Sequence, residues 1–156
     1  MTAAHPSLNR LALQATTHCL TGCAIGEVLG MVIATALGWG ALASIGLAVI
    51  LAFFFGYALT MRPLLASGLG LGRATRLALS ADTVSITVME ITDNAILLVI
   101  PSAMAAELNE PLFWGSLAIS LAVAGVVAFP VNRWMIGRGQ GHAVVHDAHA
   151  GHQGSA

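Results

Sequence analysis

The sequence predicts an all-α fold, an integral membrane bundle of four transmembrane helices with both termini cytoplasmic. Three observations carry this. Apolar residues make up 57% of the 156-residue chain and charged residues only 8%, whereas a soluble domain carries about a quarter charged residues. Four windows are each long enough for the roughly 20 apolar residues that cross a hydrocarbon core. The basic residues then fall on one side of the bilayer.

The first span is expected over Thr17–Trp39 and the second over Ala41–Met61. Only Trp39-Gly40 separates them, so the two form an antiparallel hairpin. The third is expected over Thr83–Met104 and the fourth over Leu112–Met135. Asn109 is placed to cap the fourth helix, with Pro111 in its first turn, and Pro130 should bend it near its end. Between spans two and three, Pro63–Ala81 reads as a short helix on the inner surface, with Arg73 and Arg76 three residues apart. Gly68, Gly70 and Gly72 read as a flexible turn rather than a nucleotide loop. Arg73 stands where a third glycine would be needed, and no buried strand precedes it.

The chain has no lysine, and its basic residues are Arg10, Arg62, Arg73, Arg76, Arg133 and Arg138. With the N-terminus inside, all of them are cytoplasmic, and the outer segments hold only Glu107 and Glu110. That is the positive-inside pattern. Trp39, Trp114 and Trp134 stand at span ends, where indole rings favour the interface. A net charge of −1 offers no basic face for nucleic acid. The start lacks the uninterrupted apolar run of a cleavable signal and reads as mature sequence. Residues 1–138 are expected to form the transmembrane domain and 139–156 a disordered, His-rich cytoplasmic tail.

Several residues are costly in a membrane. In the first span Cys19, Cys23, Glu27 and Met31 recur every four residues, beside a stripe of Gly22, Gly26 and Gly30 with His18 one turn before. Small residues at that spacing admit another helix closely. Thiol, carboxylate and thioether are metal-ligand types. The third span holds Asp82, Ser85, Met89, Glu90, Asp93 and Asn94. An ionised side chain at the centre of a span costs about 2.5–3.5 kcal/mol, so Glu27, Glu90 and Asp93 together would cost about 7–10 kcal/mol. A shared proton, a bound cation or a watery path must offset that. By depth, Glu27 should sit level with Glu90 and Asp93, and His18 and Cys19 level with Asp82. If the helices meet through the glycine groove, one acidic, sulfur-bearing site results. His18 points away from Cys19 on a regular helix and could join only if the helix start is loosened near Thr16-Thr17.

Each feature also has a purely structural reading. Asp82 could cap the third helix, the cysteines could be small packing residues and the methionines filler. The acids could bond one another and fix helix register. In the tail, His142, His146, His149 and His152 have spacings that can gather on one ion, or they bind metal only incidentally.

The run His18-Cys19-Leu20-Thr21-Gly22-Cys23 through Gly26-Glu27, followed by Met89-Glu90-Ile91 and Asp93-Asn94, resembles a family of small bacterial membrane proteins known only as a domain of unknown function, some with His-rich ends. The resemblance covers Thr17 to Gly141. It implies a four-helix, multi-pass protein of the bacterial inner membrane and no particular activity.

The residues themselves point to a protein that binds and transports or hands over a transition-metal ion, copper or zinc. His18, Cys19 and Cys23, completed by Asp82, would accept the ion on the cytoplasmic side. Glu27, Glu90 and Asp93 would form a midplane station or proton relay, and the histidine tail would collect or deliver. Two other readings stay open: a membrane-embedded metal- or cofactor-dependent redox enzyme, and a non-catalytic subunit of a larger complex. Four short helices make a thin wall for a pore, so a homo-oligomer is also expected.

Overall fold

The computed structural model describes residues 7–141, so the tail histidines His142, His146, His149 and His152 lie outside the described residues. Within them the chain forms four long helices and no strand: α1 (Leu8–Ala36), α2 (Ala41–Ala66), α3 (Leu71–Val99) and α4 (Pro111–Gly137), with a 3-10 turn at Ala103–Ala105.

Helix α1 starts well before the expected Thr17. Ser7 caps it, its hydroxyl accepting from the Arg10 N–H at 3.4 Å. The polar lead-in has its own packing face, because Ala12 and Ala15 bury against Ile136 of α4. Thr16 and Thr17 do not loosen the helix. Thr17 bonds back to the Leu13 carbonyl at 2.9 Å. Gly38 in the left-handed region (φ 67°) turns the chain into α2.

Helix α2 passes through Pro63 to Ala66, and Gly68 (φ 88°) reverses the chain. No separate surface helix occupies Pro63–Ala81. Its first part ends α2 and its second part opens α3, because Leu64, Leu69, Ala74 and Ala81 form one apolar cluster that joins the two helices. Asp82 consequently lies well inside α3 and caps nothing. α3 stops before the expected Met104 because Pro101 favours extended backbone in the residue before it, and Ile100 is extended. Pro111 does open α4, but Glu110 rather than Asn109 is the N-cap residue. The Glu110 carboxylate is engaged with the Glu107 N–H at 3.0 Å.

The helices run up and down in a ring. α1 packs on α2 and α4, α3 packs on the same pair, and α1 also meets α3 across the middle. Small residues make that diagonal possible. The central core is Cys19, Cys23, Ala52, Ile86, Met89, Ala124 and Ala128, drawn from all four helices. The glycine groove of α1 receives α2 rather than α3. A Cβ at Gly22 would stand 2.6 Å from the Gly56 Cα, and one at Gly30 would stand 2.5 Å from the Ala48 Cα. At Gly26 it would collide with the Ala52 backbone. Gly26→Ile therefore forces the hairpin apart. The expected cost is about 3 kcal/mol or more, above the usual range for overpacking because the clash is with backbone. It should appear as lost monodisperse elution and a lowered melting temperature, and a wild-type melting curve would contradict the packing described.

The outside of the ring is apolar: Leu42 is 87% exposed, Val126 74% and Val99 78%. Helices α1, α2 and α4 are long and apolar enough to cross a membrane. α3 matches α1 in length but not in apolar content, since it carries Arg73, Arg76, Asp82, Glu90 and Asp93.

Candidate functional site

Helices α1 and α3 run parallel, so the diagonal contact sets their polar stripes level with one another. The offset is near constant. Cys19 meets Asp82, its thiol donating to Oδ1 at 3.6 Å. Cys23 meets Glu90. Glu27 meets Asp93. All six of these residues are buried, while the remaining polar residues of α1 lie near its start or on its outer faces.

The line begins near the end of the bundle that carries the termini. His18 is half-buried and turns to α2, where its Nε2 shares a 2.7 Å hydrogen bond with the Thr60 hydroxyl. Thr60 also reaches Asp82, so its hydroxyl links the histidine to the Cys19–Asp82 pair. Ser85, wholly buried on α3, approaches Cys19. One turn further on, the line passes from Cys23 to Glu90 and then to Glu27 and Asp93. Ser120 of α4 approaches Asp93.

Sequence reasoning missed Thr60 and Ser120 as parts of this line, and it named Ser85 in the third-span stripe without giving it a role. Their signal was present but faint, as single hydroxyls inside otherwise apolar runs. Asn132 and Thr16 form another buried pair, with the amide donating to the hydroxyl at 3.0 Å. That pair lies between α4 and α1 and fixes their register. Met89 is fully buried core and Met31 lines a cavity beside Glu27.

The carboxyl groups are under-satisfied. No hydroxyl or N–H among the described residues stands in hydrogen-bonding geometry to either oxygen of Glu27, Glu90 or Asp93. Three acids in an apolar interior without donors cannot all be ionised and alone, because each buried unpaired charge costs several kcal/mol. They must share protons with one another or hold a cation. The thiols add a second acid type: Cys19 and Cys23 are free and buried, and each faces a carboxyl group. A thiol beside a carboxyl can give up its proton to an arriving metal ion and become a strong ligand for it.

The arrangement does not converge on one point. Among the described residues, no group of three or more His, Cys, Asp or Glu side chains stands ready to hold a metal ion. Of the expected set, His18, Cys19 and Cys23 are spread over more than one turn of α1 and Asp82 stands on α3, and the His18 ring bonds Thr60 of α2.

No curated protein matches the chain, and no solved structure does. A family model does match, over residues 9–141. That range takes in α1 to α4, both polar stripes and the glycine groove. The chain belongs to the family described as a domain of unknown function (DUF4396).

Proposed function

We propose that this chain is a four-span membrane protein that takes up a transition-metal ion, copper or zinc, and passes it along the α1–α3 line in exchange for protons. The observation that carries this reading is the line itself. Two thiol–carboxyl pairs and one carboxyl–carboxyl pair are stacked in register through the bundle, and six carboxyl oxygens there have no hydroxyl or N–H donor among the described residues. A purely structural polar core would pair its groups internally. A path for cations must leave acceptors available and must hold the ion nowhere too tightly. The lack of one converged ligand set fits passage better than storage.

Membrane insertion is supported on α3 as well as on its three more apolar neighbours. Val84, Ile91 and Leu98 recur every seven residues on its exposed side, so α3 turns an apolar stripe outward and its acids inward. The arginines lie at helix ends on the side of the termini, as the positive-inside rule requires of a chain with both ends cytoplasmic. A reporter enzyme fused after Ala156 should therefore be active only in the cytoplasm of a bacterial host. Periplasmic activity there would reverse the orientation. The tail histidines would act as a cytoplasmic collector for the ion.

A second reading, a proton path without metal, is favoured by one fact: three ready ligands do not meet anywhere among the described residues. Uptake of metal into vesicles containing the purified protein, recorded together with the internal pH, decides between the two. Metal entry with opposite proton flow supports the proposal, and proton flow that is indifferent to metal supports the rival.

A further inference from the structure

At the end of the bundle away from the termini, the line opens into a cavity of about 50 Å³. Met104 and Ala103 of the 3-10 turn and Phe113 of α4 line that end. The deeper wall carries Glu27, Glu90, Asp93, Asn94 and Ser116. Glu27 and Glu90 are each 5% exposed and Asp93 1%, and the carboxyl oxygens of all three are without a hydrogen-bond partner among the described residues. One amide N–H of Asn94 donates to the Glu90 carbonyl at 2.9 Å, which leaves its oxygen to accept and its second N–H to donate. Ser116 likewise donates to the Phe113 carbonyl and keeps its lone pairs. Among the described residues the polar wall thus offers mainly acceptors, six carboxyl oxygens with the Asn94 and Ser116 oxygens, which suits a cation.

We propose that this cavity is a divalent-cation site for Zn2+, ligated by the carboxylates of Glu27 and Asp93, with water completing four-fold coordination. The two carboxylates are neighbours, and together they balance the charge of the ion, so the loaded site is neutral overall. Carboxylate oxygens are among the ligands zinc takes, and two waters would complete a four-coordinate set around them. The volume suits this, since a water needs about 10–15 Å³ of such space and the cavity has room for roughly three. Glu90, Asn94 and Ser116 supply acceptors for the hydrogens of the bound waters. The site rests on the transport reading and deepens it by naming its station nearest the far end, and its two ligands are not members of the thiol pairs.

The test uses the full-length protein with the thiol pairs removed, C19S/C23S, titrated with Zn2+ by calorimetry and compared with the same protein carrying E27Q and D93N as well. The histidine tail contributes equally to both. The expected result is one more Zn2+ per chain in the C19S/C23S protein, at least 100-fold tighter than any binding left in its partner. Asp93→Asn alone on the C19S/C23S background should remove the same ion, which covers loss of folding in the quadruple variant. Met31→Leu with Met104→Leu should leave it in place. Equal stoichiometry with and without the acids, or loss of the ion on changing the methionines, overturns the site. Metal uptake by wild-type protein without any cavity ion would leave the transport reading standing and remove only this inference. A cavity ion without uptake would do the reverse.

Discussion

Replacing Cys19 and Cys23 together by serine should weaken Cu(I) binding by about 100-fold or more while leaving the bundle folded. The magnitude follows from the ligands removed: soft ions are held through thiolate, and a serine hydroxyl stays protonated and hard. Folding should survive because serine is slightly smaller than cysteine and keeps a donor. In Cys19→Ser the hydroxyl can still reach Asp82, and in Cys23→Ser it can still face Glu90, so no carboxyl loses its only neighbour. Competition titration against a Cu(I) chelator reads the affinity, and circular dichroism with size-exclusion elution reads the fold. Wild-type affinity in the double variant would remove the thiols from the path. Loss of helicity would instead show that the thiols act as packing, which their place in the central core allows.

The second large effect is expected from Glu27→Gln. The amide has the shape of the carboxylic acid but can neither release a proton nor balance a cation. Cu(I) affinity at the thiol pairs should stay near wild type, because the amide leaves the Cys19–Asp82 and Cys23–Glu90 pairs in place. Metal uptake into vesicles should fall by about tenfold or more, the scale on which removal of one supporting group impairs a metal site. Stability should rise slightly, since an amide is less costly to bury than an acid held between two others. The three readouts move independently, so a merely structural role for Glu27 would be visible as lost stability with binding and uptake falling together. Unchanged uptake would take Glu27 out of the path.

Much of this was legible in the sequence, and the reasons differ by element. Helices α1, α2 and α4 declare themselves through apolar runs long enough to cross a bilayer as helices. The level at which α1 and α3 meet was legible by depth, whereas their contact was expected through the glycine groove that α2 in fact fills. Short connections force up-and-down helices, and counting residues from the same side sets Cys19 level with Asp82 and Glu27 level with Asp93. The early starts of α1 and α3 were not legible from hydropathy. Leu8–Thr16 and Leu71–Asp82 mix polar and apolar residues, and what makes them helical is tertiary, such as Ala12 and Ala15 against Ile136. The groove partner was hidden too. Ala48, Ala52 and Gly56 repeat every four residues on α2 just as the glycines do on α1, but they are submerged in a wholly apolar helix. Once that match is seen, α2 rather than α3 is the close neighbour, and α3 is left to meet α1 by its polar stripe. The place of His18 turned on one residue, Thr60, whose hydroxyl draws the ring to α2 without any break in α1. The histidine tail lies outside the described residues and keeps only its spacing as an argument.

The carboxyl–thiol line as a path for metal ions exchanging with protons is tested most directly by one measurement. Purified wild-type protein is reconstituted into sealed vesicles, copper or zinc is supplied on one side, and entry of the ion is followed together with the pH of the lumen. The account predicts saturable metal entry, accompanied by protons moving the opposite way, and both absent from protein-free vesicles. Metal that neither binds nor enters, in vesicles where the protein is shown to be folded and inserted, would contradict it.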